Sequence, residues 1–432
     1  MSSKIRIMSV TILSPRVSKM AEHLVGSEII KLAGEIKEKI AAGEKIYNLT
    51  IGDFDSNIFP IPEGLKEEII CAYESNETNY PAANGIPELR DAVSQFITKH
   101  QGLTYSKDDF LIAGGARPLI YAAYQTLVDP GDTVLFPVPS WNNNHYTHLS
   151  HAKQVFIETL PENNFMPTAA ELKPFIQEAN LLALCSPLNP TGTAFSETQL
   201  REICELVIAE NNRRGEDEKP LYILYDQIYW ILTYGDITHV DPVSLYPELK
   251  SFTLYIDGLS KAFAATGVRV GWSFGPTKII NKMKAILGHV GAWAPKAEQV
   301  ATANYLTRKN DVGNFVARFK TRLEDRLVDF HQGLSQLKQD GFPVEVIAPQ
   351  AAIYLTVQFN LIGKKLPNGT TINTTADITA FLLSEAKIAL VPFNAFGASA
   401  DSTWYRLSVG TVSKEDITDI LNQLKTALQQ LS

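Results

Sequence analysis

The stretch SFTLYIDGLSKAFAATGVRVGWSF, residues 251–274, decides the predicted fold. Its two apolar runs, SFTLYID and VRVGWSF, are rich in β-branched and aromatic residues and predict two buried strands. Between them, Lys261 follows the first run and precedes an alanine-rich segment. A lysine in this position can lie in a pocket, where burial and a neighbouring cation lower its pKa and make the amine a nucleophile. Arg269, eight residues later, is placed to supply that cation or to bind a phosphate.

Five similar apolar runs precede this stretch, and helical segments lie between several of them. The runs are DFLIAGG (109–115), TVLFPVP (133–139), KQVFIET (153–159), NLLALCS (180–186) and LYILYD (221–226). Near-continuous apolar strands that alternate with helices are typical of a largely parallel sheet with both faces covered. The sequence therefore predicts an α/β fold around a sheet of seven strands.

The pattern changes after about residue 300. A long charged helix over roughly residues 310–340 precedes further apolar runs and a final helix, which predicts a smaller α+β domain. We assign residues 60–305 to a large domain, and residues 1–59 together with 306–432 to the small one. The charge-rich segment NRRGEDEKP, residues 212–220, is predicted to be a surface connection.

Composition excludes several classes of protein. The 432 residues include 39 Lys plus Arg and 47 Asp plus Glu, and the net charge of −8 gives no global attraction for nucleic acid or anionic lipid. The three cysteines show no CxxC spacing, so neither a disulfide framework nor a thiolate metal site is indicated. No run of eighteen apolar residues occurs. We therefore expect a cytoplasmic protein without a nucleic-acid or membrane partner.

Several polar residues follow predicted strands, and ligands in open α/β sheets bind at the carboxyl ends of strands. Asp226 ends LYILYD, and Asn189 lies just after NLLALCS. A carboxylate after so apolar a run would be buried and must pair with a cation, such as a protonated pyridine nitrogen. Tyr229 could reach the same ring. Gly115 and Ala116 open a helix, where backbone N–H groups form an anion site.

Each of these features also has a simpler interpretation. Lys261 can be a solvated loop residue, and Asp226 can cap the next helix. The string GWSFG, residues 271–275, matches the GxSxG of serine hydrolases, but Ser273 falls inside a predicted strand rather than at a strand-to-helix turn. No metal site is expected at the three histidines of HYTHLSH, residues 145–151, because no nearby carboxylate completes a ligand set.

The order of the motifs along the chain is more specific than any one of them. The segments are NLTIGDFD (48–55), NYPAANGIPELRDAV (79–93), SPLNPTG (186–192), YDQIYW (225–230), SKAFAATGVRVGW (260–272) and FGASADSTWYRLSVG (396–410). In this order they closely resemble the fold-type-I, pyridoxal-phosphate-dependent aminotransferases of class I and II, from about residue 25 to the end. The resemblance implies a large domain with a mostly parallel seven-stranded sheet flanked by helices, and a smaller α+β domain.

The resemblance also implies roles around the ring of pyridoxal 5′-phosphate. Lys261 would hold the cofactor as an internal aldimine and later move the proton at the substrate α-carbon as general base and acid. Asp226 would keep the pyridine nitrogen protonated, and Asn189 and Tyr229 would bind the phenolic oxygen of the ring. Trp141 matches the aromatic residue that stacks on the ring face.

The remaining implied roles concern the phosphate and the substrate. The residues implied at or near the phosphate are Gly115, Ala116, Arg117, Ser260, Arg269 and, from the partner subunit, Tyr80. Arg406 would bind the substrate α-carboxylate bidentately, with help from Gly52, Asn189 and Trp141. Since Tyr80 would come from across a two-fold axis, a homodimer with shared active sites is expected.

The implied reaction moves the amino group of an L-amino acid, with aspartate or an aromatic amino acid favoured, to a 2-oxo acid such as 2-oxoglutarate. Two alternatives stay open, namely a C–S β-lyase or related synthase on the same fold, and a non-catalytic regulator. An aspartate-type enzyme also needs a cation for the distal carboxylate of its substrate. Arg16, Arg117 and Lys296 are the candidates.

Overall fold

The computed structural model describes residues 16–24 and 28–432. Its strands are β1 (Tyr47–Asn48), β2 (Phe110–Ala113), β3 (Thr133–Val138), β4 (Lys153–Glu158), β5 (Ala179–Cys185), β6 (Tyr222–Asp226), β7 (Thr253–Gly258), β8 (Gly271–Phe274), β9 (Val344–Val346), β10 (Tyr354–Phe359), β11 (Ile388–Ala389), β12 (Val391–Pro392) and β13 (Trp404–Ser408). Its α-helices are α1 (Lys19–Glu22), α2 (Glu28–Ala41), α3 (Glu63–Glu74), α4 (Pro87–Gln101), α5 (Ala116–Leu127), α6 (Asn143–Leu149), α7 (Ala169–Leu172), α8 (Glu197–Arg214), α9 (Pro242–Leu245), α10 (Leu259–Ala262), α11 (Thr277–Val290), α12 (Lys296–Thr307), α13 (Lys309–Gln339), α14 (Thr375–Ser384) and α15 (Asp416–Leu428).

The main sheet has seven strands in the order β2-β8-β7-β6-β5-β3-β4. They are the seven runs predicted from the sequence. Strand β8 is antiparallel to β2 and β7, and the other neighbouring pairs are parallel. Cys185 of β5 pairs with Asp226 of β6, so the carboxyl ends of these two strands lie side by side. The segments that carry Asn189 and Lys261 leave the sheet at this same edge.

Helices cover both faces of this sheet, because side chains alternate between two apolar cores along each strand. On β2, Phe110 and Ile112 enter one core, which also contains residues of α4, α8 and α12. Leu111 and Ala113 enter the other core, with residues of α5 and α11. The predicted α/β fold with a mostly parallel seven-stranded sheet flanked by helices is confirmed.

A second, antiparallel sheet has the order β12-β13-β10-β9, and its apolar core includes residues of α13, α14 and α15. Strand β1 pairs with β11 and so attaches an N-terminal segment to this part of the chain. Helix α13 matches the long charged helix predicted over residues 310–340. Division of the chain into residues 60–305 and the rest stays a proposal. Across the two described ranges, every helix is too short or too polar to cross a lipid bilayer.

The charged segment 212–220 is not wholly a surface connection. Helix α8 continues to Arg214, whose side chain is only 3% exposed. Its guanidinium donates hydrogen bonds to Glu210 Oε1 at 2.7 Å and to the backbone oxygens of Ala179 at 2.7 Å and Lys219 at 2.8 Å. The prediction was wrong for these first residues because an arginine with its donors paired can be buried, which a charge pattern does not reveal.

We expect Arg214→Ala to destabilise the protein by about 3 kcal/mol, because it leaves Glu210 and backbone carbonyls buried without this partner. Urea unfolding followed by circular dichroism would measure the change. Arg201→Ala is the matched control on the same helix, since the Arg201–Glu197 pair is exposed and is expected to contribute less than about 1 kcal/mol. Equal losses in the two variants would contradict a structural role for Arg214.

Candidate active site

A cavity of about 680 Å³ lies at the carboxyl ends of β5 and β6, beside the turn after β7. Side chains from the second sheet, including Tyr354 and Arg406, also line it. Eleven of the thirteen predicted site residues line this cavity, namely Gly52, Ala116, Arg117, Trp141, Asn189, Asp226, Tyr229, Ser260, Lys261, Arg269 and Arg406. The structure therefore brings together residues that are up to 354 positions apart in the sequence, from Gly52 to Arg406 (406 − 52 = 354).

Lys261 lies on the short helix α10, directly after β7. Its Nζ donates a hydrogen bond of 2.5 Å to the backbone oxygen of Gly52. Burial is the main cause that lowers the pKa of Lys261 to about 8; the charge of Asp53 opposes this shift, and the nearby guanidinium groups of Arg406 and Arg117 add to it. The fraction of neutral amine near physiological pH is therefore far larger than for an ordinary lysine, as a nucleophile requires.

Asp226 is the last residue of β6. Among the described residues, its hydrogen-bond donor is the backbone N–H of Ile228, 3.1 Å from Oδ1. Burial raises the pKa of Asp226 to about 6, and this single backbone hydrogen bond opposes the shift. A buried carboxylate that lacks a cationic side-chain partner in the described part of the chain fits a ligand that brings its own positive charge, such as a protonated ring nitrogen.

The turn before α5 forms a cradle for an anion. Gly115 precedes the helix with φ +96°, and a Cβ atom there would lie 2.1 Å from Nη2 of Arg269. The guanidinium of Arg269 is held against this turn by hydrogen bonds to the backbone oxygens of Gly114 at 2.9 Å and Thr266 at 2.7 Å. A helix N-terminus next to an arginine suits a phosphate group. Gly115 leaves room for the guanidinium of Arg269 but does not line the cavity itself, whereas Ala116 and Ser260 do line it.

Arg406 lies on β13 and is only 2% exposed. Nη1 donates to Asn189 Oδ1 at 2.9 Å, and Nη2 donates to the backbone oxygen of Thr50 at 2.6 Å. Its Nε is buried without a hydrogen-bond partner in the described part of the protein. A buried guanidinium that is held by neutral oxygens keeps its positive charge for an incoming carboxylate.

Two contacts in the cavity were missed at the sequence level. The hydroxyl oxygens of Tyr229 and Tyr354 lie 2.6 Å apart, although 125 residues separate them. Thr266 Oγ1 donates a hydrogen bond of 2.6 Å to Asp53 Oδ1, which fixes the N-terminal segment next to the loop after Lys261. No local pattern in the sequence marks either contact.

Not all predicted residues meet in this cavity. Tyr80 is 83% exposed and packs against the ring of Trp293 at 5.4 Å, on another part of the surface. Of the three candidate cations for a distal carboxylate, Lys296 pairs with Glu77 at 2.7 Å outside the cavity, and Arg16 is exposed. Arg117 does line the cavity, with its guanidinium 5.4 Å from the ring centre of Trp141.

The competing motifs find no support in the geometry. Ser273 is fully buried inside β8, so it is not presented at a turn as a hydrolase nucleophile would be. Within the ranges that the structure describes, no group of three or more His, Cys, Asp or Glu side chains is arranged to bind a metal ion. The amine, the buried carboxylate and the anion cradle instead suit a charged aromatic aldehyde that carries a phosphate.

Comparison with known proteins gives consistent matches. The family model "Aminotransferase class I and II" matches residues 44–424. An aspartate aminotransferase of Rhizobium meliloti (strain 1021) is 30% identical over 94% of both chains. A probable aspartate/prephenate aminotransferase of Rhizobium leguminosarum bv. phaseoli is 31% identical over 92% of this chain and 95% of that protein.

Two solved structures share the fold over almost the whole chain. The aspartate aminotransferase from Rhizobium meliloti superposes with a TM-score of 0.87 at 28% identity, covering 96% of this chain and all of the other. The aspartate aminotransferase from Thermus thermophilus with maleate gives a TM-score of 0.84 at 25% identity, with the same coverage.

Proposed function

This chain belongs to the class I and II aminotransferase family, and we propose that it moves the amino group of L-aspartate to a 2-oxo acid such as 2-oxoglutarate. The predicted family and aminotransferase activity are confirmed, which weakens the lyase and regulator alternatives. The observation that carries the aspartate assignment is that two arginines, Arg406 and Arg117, line the cavity that contains Lys261 in addition to Arg269 of the anion cradle. Two guanidinium groups in one cavity suit a dicarboxylic substrate.

Pyridoxal 5′-phosphate is the cofactor in this proposal, and when bound it supplies an electron sink for the charge that develops at the substrate α-carbon. Asp226 would pair with the protonated ring nitrogen, and Trp141 would stack on the ring face. Tyr229 and Asn189 would form hydrogen bonds with the phenolic oxygen of the ring. The phosphate would be held by the cradle of Gly115, Ala116, Ser260 and Arg269. The neutral amine of Lys261 is the group placed to receive the cofactor aldehyde and to move the proton at the α-carbon.

The substrate would span the two arginines. Arg406 would bind the α-carboxylate, because it lines the cavity and its guanidinium is fixed there by the oxygens of Asn189 and Thr50. Arg117 would bind the distal carboxylate. The names of the relatives support this choice of substrate, and so does the maleate in the Thermus thermophilus structure, since maleate is a dicarboxylate. An aromatic donor would leave the charge of Arg117 without a partner in the cavity.

We also propose a homodimer in which Tyr80 completes the phosphate site of the partner subunit. The support is that Tyr80 presents a largely exposed phenol outside its own cavity. A cytoplasmic location belongs to the same proposal, because Cys71 is an exposed free thiol, which suits a reducing compartment.

The assignment can be tested with the visible absorption band of the purified protein after addition of pyridoxal phosphate. Aspartate should bleach the band more efficiently than alanine or phenylalanine, and 2-oxoglutarate should restore it. Release of pyruvate, ammonia and a thiol from an S-alkyl cysteine, which carries a sulfur leaving group on its β-carbon, would instead indicate the lyase. A stronger response to phenylalanine than to aspartate would contradict the dicarboxylate assignment.

We expect Arg117→Leu to lower kcat/KM for aspartate by about 100-fold, because an interaction of about 2–3 kcal/mol with a charged partner is lost. The kcat/KM for alanine, which has no distal carboxylate, should change less than about threefold. Steady-state kinetics with both donors measure the difference. Lys296→Leu, a change of a cation outside the cavity, is the control. Equal losses for aspartate and alanine would indicate that Arg117 holds the cofactor rather than the distal carboxylate.

A further inference from the structure

Asp257 is a buried carboxylate that none of the roles above uses. It lies in β7, four residues before Lys261, and is 1% exposed. Its neighbour Ile256 pairs with Asp226 across the sheet, so the two aspartates lie near the carboxyl ends of adjacent strands. Asp257 does not line the cavity, but it is next in sequence to the residue that pairs with Asp226.

Three N–H groups from three different parts of the chain converge on this carboxylate. The indole Nε1 atoms of Trp230 and Trp272 donate to Oδ2 at 2.8 Å and 3.2 Å. The backbone N–H of Gly258 donates to Oδ1 at 2.7 Å. Trp230 follows Asp226 by four residues, Trp272 lies on β8, and Gly258 begins the turn to Lys261. Asp257 therefore ties the segment after Asp226 to the turn that carries Lys261.

The donor set favours the ionised form of Asp257, whereas burial favours the protonated form. Both oxygens receive N–H groups, and the described structure shows no acceptor for a carboxyl proton. An asparagine could not accept all three hydrogen bonds, because only one of its two terminal atoms is an acceptor. Its NH₂ group would face either the two indole N–H groups or the backbone N–H of Gly258, and two donors cannot bond to each other. Burial raises the pKa of Asp257 to about 8 and the charge of Asp226 adds to this, while the three hydrogen bonds oppose the shift.

We propose that Asp257 is a positioning residue whose carboxyl group, through its three N–H partners, holds Lys261 and Asp226 in register with each other. The idea rests on the proposed use of those two residues. Loss of these hydrogen bonds would release Trp230 and the Gly258 turn, so Lys261 would no longer be fixed relative to the strand end of Asp226. A displacement of about 1 Å between reacting groups can reduce a rate by about 100-fold, so a small release has a large effect.

The test compares Asp257→Asn with Asp241→Asn. Asp241 is a matched control, because it is 4% exposed and accepts hydrogen bonds from Tyr255 Oη at 2.6 Å and from the backbone N–H groups of Val243 and Ser244, both at 3.0 Å. The first readout is tryptophan fluorescence of the cofactor-free protein against pH. The wild type and Asp241→Asn should show a transition near pH 8, and Asp257→Asn should lack it.

The second readout uses the protein loaded with pyridoxal phosphate. In Asp257→Asn the pKa read from the pH dependence of the visible band should shift by about half a unit or more, because Lys261 is displaced relative to the carboxylate of Asp226. The kcat with aspartate should fall roughly 10- to 100-fold, with KM changed less than about threefold. Asp241→Asn should leave both quantities unchanged even where it lowers stability.

Two results would overturn the inference. The first is that the pKa of the visible band and the kcat of Asp257→Asn both equal those of the wild type. The second is that these two quantities change equally in Asp257→Asn and Asp241→Asn, which would indicate a general effect of lost stability. If Asp257→Asn fails to fold, Trp272→Phe, which removes one donor and keeps an aromatic ring, must shift the band pKa and kcat in the same directions. If the wild type forms no band, the proposed function fails, while the fluorescence transition still reports on Asp257.

Discussion

Replacing Lys261 by alanine is expected to abolish transamination, with a loss of at least about 10⁴-fold in kcat, and to remove the visible band that pyridoxal phosphate gives with the wild type. Lys261 is the amine in the cavity, and its contact with the Gly52 oxygen fixes where it points. Absorption spectra and single-turnover assays with aspartate would measure both losses. Lys261→Arg keeps the positive charge without a nucleophilic amine, so it should be equally inactive. Turnover that persists in either variant would exclude the assignment.

The lowered pKa of Lys261 gives the same prediction a pH dependence. The amine reacts only when it is neutral, so the rate at which the cofactor-free protein captures pyridoxal phosphate should rise with pH. Because the folded-state pKa is about 8, the rise should level off above about pH 8. An unperturbed lysine would show a rise that continues to about pH 10.4. Such a continued rise would contradict the lowered pKa that burial, together with Arg406 and Arg117, gives to Lys261.

The main sheet could be predicted because its signals are local. Six of the seven strands of the main sheet are short apolar runs that end at or just before Gly, Pro, Ser or Asp, where the chain leaves the sheet; β4, which is followed by Thr159, is the exception. Asp226 ends such a run, and Asn189 and Lys261 follow shortly after others, so the rule for ligand sites in α/β sheets predicts from the sequence that the three lie together. The direction of a strand is not a local property, and nothing in the run VRVGWSF shows that β8 is antiparallel to its neighbours.

The rest of the site depends on contacts between distant parts of the chain. Lys261 touches the Gly52 oxygen across 209 residues, and Tyr229 meets Tyr354 across 125. No periodicity or spacing records such pairs. The same limit explains why sequence offered three equivalent cations for a distal carboxylate. Only their positions in space separate Arg117, which lines the cavity, from Lys296, which is held by Glu77 outside it.

Asp226→Asn is expected to lower kcat by about 10²- to 10³-fold while the protein still binds pyridoxal phosphate. The substitution keeps an oxygen for the N–H of Ile228 but removes the charge that would pair with the ring nitrogen. Removing one partner of a buried charge pair costs about 3–5 kcal/mol, and each 1.36 kcal/mol is about tenfold in rate. Stopped-flow measurement of the bleaching of the visible band by aspartate would isolate this step.

Two controls distinguish charge from shape at this position. Asp226→Glu keeps a carboxylate with a longer side chain, so it should lose less activity than Asp226→Asn if the charge is what matters. A cofactor analogue with a methyl group on the ring nitrogen is permanently positive and does not depend on Asp226 to stay so. It should therefore recover part of the activity lost in Asp226→Asn. If the analogue gives no recovery and Asp226→Glu is as slow as Asp226→Asn, then Asp226 acts by holding the strand end in place and not by its charge.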